Sequence, residues 1–411
     1  ATLLTTSTLT VMAAATVAPA LPAMRQAFQQ VSNVDLWVRL VLTLPALFIA
    51  ASAPFAGIII DRFGRKRLLA VSALLYGLAG GSGYVLPTLS LILAGRALLG
   101  VAVAGIMTSV TTLIADYYEG PARARFLGLQ AGFMGLGGTL FLTLGGVLAD
   151  VGWRNPFLIY AGAFLVLPFI LLALNEPAQT NPGRSIAHPV SEPGDCVAEA
   201  MWVAAPLNAA TTTAVATPIK LLVVVYGLMM LVQITFYLIP VQLPFYLQTL
   251  TGATAAQSGL AIAVLSTCYA LASMAFGWVN ARLDRITVLA IAFALTGGGY
   301  ATVALAAGWN LLYTGLIASG VGLGLTVPNL NVWLTNETPA ALRGRALGGL
   351  TTALFLGQFL SPLVSQPIIR MVGIGQTYLL AAGVSLSLVL LLLARRQQLR
   401  QLATVDSGLA G

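Results

Sequence analysis

The chain is predicted to fold as an all-α integral membrane protein with 12 transmembrane helices in two pseudo-symmetric six-helix bundles, and three observations carry that prediction. Apolar residues make up 58% of the chain and charged residues 8%, with a mean hydropathy of +0.91, far outside the range of a water-soluble domain. The apolar runs last roughly 20 to 25 residues, the length a helix needs to cross about 30 Å of hydrocarbon, and the short alternating segments of a β-barrel are missing. Short sequences from the first half of the chain also return in the second half.

Taken in order, the runs place spans at 2–24, 36–60, 66–87, 90–116, 125–149, 155–175, 218–247, 256–280, 286–307, 309–335, 343–366 and 373–394. The first, Leu3 to Leu21, has no Lys or Arg before it and closes on Pro19-Ala20-Leu21-Pro22. It lacks a signal-peptidase site and is read as a span. Spans two and three meet at Gly57-Ile-Ile-Ile-Asp61-Arg62-Phe63-Gly64-Arg65-Lys66-Arg67, with five charged residues in seven positions. Spans four and five are divided by Glu119-Gly-Pro-Ala-Arg123-Ala-Arg125-Phe-Leu-Gly128. From Glu176 to Pro218 the hydrophobicity falls and Pro, Thr, Asn, Ser and Gly take over, marking a linker. Span seven closes on Ile239-Pro240-Val-Gln-Leu-Pro244, as span one closes on its own Pro pair. Gly277-Trp-Val-Asn-Ala281-Arg282-Leu-Asp284-Arg285 is a degraded copy of the loop after span two. Glu337-Thr-Pro-Ala-Ala-Leu-Arg343-Gly-Arg345-Ala-Leu-Gly348 echoes the loop after span four. The expected organisation is a bundle at 1–175, a cytoplasmic linker at 176–217, a second bundle at 218–394 and a cytoplasmic tail at 395–411. Two parallel six-span repeats suit a central cavity that opens alternately to either side.

Charge orients the chain. Of the 20 Lys and Arg residues, fifteen fall on inner loops and the tail and four (Arg25, Arg39, Arg154 and Arg370) on outer ones, Arg96 being the remaining one. The positive-inside rule then puts both termini in the cytoplasm. The net charge of +8 comes from short clusters between spans, not from an aromatic-interleaved surface, so no nucleic-acid partner is expected. The two cysteines, Cys196 and Cys268, form no disulfide framework. The lone His188, in the linker, cannot build a multi-histidine metal site. No phosphate loop, nucleophile elbow or metal-ligand spacing is present, so no enzyme activity, cofactor or metal is expected and the energy source is a gradient.

The Gly57–Arg67 loop closely resembles the signature loop of the major facilitator superfamily. Gly57 lets span two approach a neighbouring helix closely, and Asp61, a turn further on, can meet the positive end of another helix. Arg62, Arg65 and Lys66, after the Gly64 turn, can reach carboxylates or lipid phosphates. The resemblance implies that Asp61 docks on the start of span eleven, near Arg343 to Ala346, and latches the cytoplasmic side shut. The second copy has Ala281 in place of the acid, so one such latch is intact.

Arg96 lies inside span four, where a cation costs a few kcal/mol unless it faces a cavity or finds a partner. The stretch Arg96-Ala-Leu-Leu-Gly100-Val-Ala-Val-Ala-Gly105 resembles the family's fourth-span motif, in which the Arg is linked to proton movement. Snorkelling to the outer interface is the structural alternative. Gly137, Gly138, Gly145 and Gly146 match the glycines of the family's drug-antiporter motif, but Phe141-Leu142 stands where that motif has Gly-Pro. In the resembled fold the centre is lined by helices that here carry Gln233, Phe236, Tyr237, Gln242, Tyr269, Asn329, Asn331, Phe355 and Gln358. An apolar, aromatic pocket with amide groups suits an amphiphilic ligand. No span has an acid at its middle, so proton coupling is expected at a peripheral carboxylate, Asp35 or Asp61, working with Arg96.

The resemblance implies a monomeric secondary transporter in a bacterial inner membrane, exporting a small amphiphilic or drug-like compound by alternating access with proton coupling. The alternative is a uniporter, importer or exporter of a nutrient, lipid or siderophore-like metabolite without a central proton-binding acid.

Overall fold

The computed structural model describes residues 2–176 and 219–394. His188, Cys196, most of the expected linker and the tail from 395 lie outside the described residues. The described chain forms twelve rods: α1 Thr2–Ala27, α2 Val34–Phe63, α3 Arg65–Gly81, α4 Leu89–Tyr117, α5 Gly120–Val151 and α6 Asn155–Ala173. The second set is α7 Ile219–Thr251, α8 Ala255–Asn280, α9 Arg285–Ala304, α10 Trp309–Glu337, α11 Ala340–Val372 and α12 Ile374–Ala394.

Local chemistry sets the ends. Gly64 (φ 93°) separates α2 from α3, Gly252 (φ 66°) ends α7 and Gly373 (φ 85°) separates α11 from α12; each takes a backbone region that other residues resist. Thr88 accepts from the Leu91 amide at the start of α4, and Thr254 with Gln257 builds a capping box on α8. The third span is shorter than the expected 66–87. Its α-helix stops at Gly81, and only a 3₁₀ turn, Ser82–Tyr84, carries it further. There the chain packs closely on α6, with Gly83 against the Phe157 ring, where a Cβ would not fit.

Neither Pro pair closes its helix, which corrects the sequence expectation. α1 passes through a 3₁₀ turn, Ala18–Ala20, and continues to Ala27. α7 breaks at Tyr237 and continues from Leu238 to Thr251. Pro lacks the N–H that the carbonyl four residues earlier needs, so a pair of prolines bends a span without ending it.

The helix packing repeats between halves. α2 and α3 pack on α4, α3 on α6 and α1 on α5; α8 and α9 pack on α10, α9 on α12 and α7 on α11. α5 packs against α8 and α2 against α11 to join the halves. Large apolar side chains such as Phe55, Leu136, Leu172 and Leu390 remain on the outer surface of the bundle, where hydrocarbon replaces water as solvent. The molecule is a multi-pass membrane protein.

Candidate functional site

The first helix of each half is broken, and tyrosines of the same half bond to its backbone, ahead of the break in α1 and around it in α7. Tyr160 Oη of α6 donates to the Ala13 carbonyl (2.9 Å) and Tyr76 Oη of α3 donates to Leu9 (2.6 Å). In the second half Tyr378 Oη of α12 donates to Leu238 (3.1 Å), Tyr300 Oη of α9 to Thr235 (2.8 Å) and Ser361 Oγ of α11 to Ile234 (2.8 Å). The two Tyr pairs are themselves in ring contact, with centroids 5.6 and 6.0 Å apart. Arg96 breaks the symmetry. It is 2% exposed, donates from Nη1 to Tyr160 Oη at 2.8 Å and lies 4.8 and 4.9 Å from the Phe157 and Tyr160 ring centroids. Its Nε and Nη2 are buried without a partner, and no carboxylate pairs with it among the described residues. Arg96 therefore does not snorkel; its charge is held by one hydroxyl and two π faces.

The halves meet closely at one face of the membrane. Arg39 of α2 is buried, donates from Nε to Gln242 Oε1 of α7 at 2.7 Å and lies 4.1 Å from the Phe245 ring centroid. Gln242 Nε2 continues to Ser365 Oγ of α11 at 3.1 Å. Asp35 sits between Arg25 (2.5 Å) and Arg39 (3.5 Å), so it is brought to Arg39 and not to Arg96. Arg370 reaches Asn33 Oδ1 at 3.4 Å. Asp150, next to the end of α5, accepts from the Ala255 amide (2.7 Å) and the Ala256 amide (3.1 Å) of α8. Thr139 and Thr267 meet at 2.8 Å further along the same pair of helices.

At the opposite, basic face glycines of the helices at the seams have open space around them. A Cβ built on Gly57 of α2, Gly132 of α5, Gly277 of α8 or Gly348 of α11 meets nothing within 4 Å. The close approach expected at Gly57 is thus absent in this conformation. The Asp61 side chain lies outside the described ones. The rest of the loop is tied into its own half: Glu176 accepts from the Arg65 amide (2.6 Å) and the Lys66 amide (2.9 Å), and the Arg65 guanidinium pairs with Asp116 (2.7 Å). Arg62 is exposed beside Phe63. The second half repeats the ion pair with Arg285 and Glu337 at 2.6 Å.

The cavity candidates divide. Phe236 stacks edgewise on Tyr237 and packs on Tyr269, centroids 5.6 and 5.5 Å away. Gln233 is buried beside the Gly357 backbone, its Oε1 unpartnered, and Phe355 and Gln358 flank that glycine on α11. Asn329 instead donates to the Arg285 carbonyl (3.0 Å) at the basic end, Asn331 bonds back to Val327 (3.1 Å) in its own helix, and Gln242 belongs to the closed face. Sequence reasoning missed a small opening in the first half, lined by Ser7, Met107, Thr111, Gln130 and Met134, where Gln130 Nε2 donates to Ser7 Oγ at 2.9 Å. A polar Gln inside span five was the available signal. The α5 glycines are packing surfaces: Gly137 and Gly138 face Thr8 and Val11, Gly145 the Thr16 carbonyl and Gly146 the start of α8.

The Major Facilitator Superfamily profile matches residues 3–248 and 225–407. The class C tetracycline resistance protein of Escherichia coli is 27% identical over 89% of this chain and 88% of its own length. The niacin transporter NiaP of Acinetobacter baylyi is 32% identical over 29% of this chain, and multidrug resistance protein 1 of Bacillus subtilis 33% identical over 33%. Those two matches span only 27% and 35% of the relatives' lengths. Among solved structures, the nucleoside transporter NupG (TM-score 0.72, 14% identity, 96% of this chain and 98% of that one) shares the fold. So does a bacterial homologue of the human lysosomal transporter Spinster (TM-score 0.72, 15% identity, 96% and 93%).

Proposed function

The chain belongs to the major facilitator superfamily, a family of transporters and not of enzymes, and from that premise we propose that it exports a small amphiphilic or drug-like compound by proton-coupled alternating access. One observation carries the reading: two similar halves are joined at one face by Asp150 on the start of α8, while Gly57, Gly132, Gly277 and Gly348 toward the other have open space around them, with Gln233, Phe236, Tyr237 and Tyr269 between. With the basic face in the cytoplasm of a bacterial inner membrane, this conformation is open inward. The aromatic and amide groups favour an amphiphilic cargo, and relatives named for tetracycline and multidrug resistance support a drug-like one. Asp61 on the start of α11 would close the basic face in the other state. Proton coupling is assigned to Asp35, whose carboxylate lies between Arg25 and Arg39. Asp35 holds one side of the buried Arg39, which spans the halves through Gln242.

A second reading, a metabolite carrier without proton coupling, is favoured by Arg96, a buried cation with no carboxylate among the described residues. The niacin transporter similarity points the same way. Proteoliposomes separate the two. The first reading expects an imposed pH gradient to drive labelled tetracycline uphill; movement of niacin down its own gradient, indifferent to pH, selects the second.

A further inference from the structure

We propose that Asp150 is the latch of the outer face, the inverted-repeat counterpart of the one expected at Asp61. The two acids occupy matching places. α2 and α5 are the middle helices of the two triplets of the first half, and α8 and α11 are the middle helices of the second half; three-plus-three inverted repeats of this kind relate α2 to α5 and α11 to α8. Each acid lies within the last three residues of its helix, and each is preceded by a glycine four positions earlier, Gly57-Ile-Ile-Ile-Asp61 and Gly146-Val-Leu-Ala-Asp150.

At Asp150 the latch is engaged. A Cβ on Gly146 would lie 2.7 Å from the Ala255 carbonyl and 2.9 Å from Ala256 Cα, so only glycine lets the α8 start come this near. The carboxylate takes both free amides there, Ala255 and Ala256, and meets the positive end of a 26-residue helix. The other amides of that turn are served locally: Thr254 Oγ1 accepts from Gln257, and the Thr254 carbonyl accepts from Ser258. The first turn of α8 is therefore fully satisfied only with the first half docked on it. At Gly57 nothing approaches within 4 Å, as expected where the matching latch is released. The two latches are exclusive: engaging α5 on α8 at one face separates α2 from α11 at the other.

The inference rests on the alternating-access reading, and its test needs no substrate. Ala263, 1% exposed, lies one turn from both Gly259 and Thr267, which contact α5. Ala263→Cys, in a chain with Cys196 and Cys268 replaced by Ser, reports opening of the outer face by its maleimide labelling rate in nanodiscs, and Gly132→Cys reports the basic face. Asp150→Ala should raise labelling at Ala263→Cys by roughly tenfold or more, the scale of lost charge-assisted hydrogen bonds, and lower it at Gly132→Cys. Ala255→Pro, which deletes one donor at a helix position that tolerates Pro, should act in the same direction and add nothing in the Asp150→Ala background. Unchanged labelling overturns the latch. So does a rise at both reporters, which means general loosening, or an Ala255→Pro effect that persists without Asp150. Tetracycline transport retained with unchanged labelling would sink the latch alone and leave the transporter reading intact.

Discussion

Removing the Tyr160 hydroxyl tests how the unpaired Arg96 is tolerated, because the symmetry-related Tyr378 provides an internal control. Tyr378→Phe deletes one neutral hydrogen bond, to Leu238, and neutral hydrogen bonds inside membrane proteins contribute about 0.6 kcal/mol on average and about 1.7 at most. Tyr160→Phe deletes an equivalent bond to Ala13 and also the sole hydrogen bond of the Arg96 guanidinium among the described residues. Hydrogen bonds to charged groups are worth about 1.5–3 kcal/mol. The first-half variant should therefore lose about 2–5 kcal/mol against about 0.6–1.7 for its partner. Reversible unfolding of both variants in mixed SDS micelles, followed by Trp fluorescence, measures the pair. Equal losses, or a larger loss in Tyr378→Phe, would refute the assignment of the Arg96 charge to Tyr160 and return it to lipid or water.

The glycines give a contrasting pair. Gly100→Ala puts a Cβ 2.4 Å from the Pro45 carbonyl and should destabilise by about 1–3 kcal/mol through overpacking, whereas Gly57→Ala, with open space around it, should be near neutral for the unfolding midpoint and still slow transport where α2 must close on α11. Asp61→Asn should depress tetracycline transport in reconstituted vesicles while leaving the unfolding midpoint unchanged; transport at the parent rate would remove Asp61 from gating.

The spans were legible because transfer of apolar side chains into hydrocarbon is a local, additive quantity, and a run such as Ile219–Thr251 declares itself without its neighbours. The halves were legible because paired sequences survive at Gly57 and Gly277. The site was read less well, for a consistent reason. A polar residue inside a span must find a partner, but periodicity does not say where. Gln242 and Asn329 suit a cavity by residue type, yet one bridges to Arg39 and the other holds the start of α9. A cation inside a span needs a partner, and that of Arg96 is a tyrosine 64 residues away. Asp150 carries no sequence signal of its contact, since its partners are backbone amides 105 and 106 residues further on. Pro pairs announce a disturbance and leave its outcome to the neighbours, which decide whether the chain turns out of the membrane or only bends.

Those neighbours also decide what kind of machine this is. Tyr76 and Tyr160 hold α1 just ahead of its bend, and Tyr300 and Tyr378 hold α7 around its bend, each from inside its own half. A bend braced from within its half travels with that half. In the proposed alternating access its angle is part of the casting and not a joint, so the two discontinuous helices would keep their shape while the halves tilt. The proposed stroke would then be absorbed at the α5–α8 and α2–α11 seams, which join the halves.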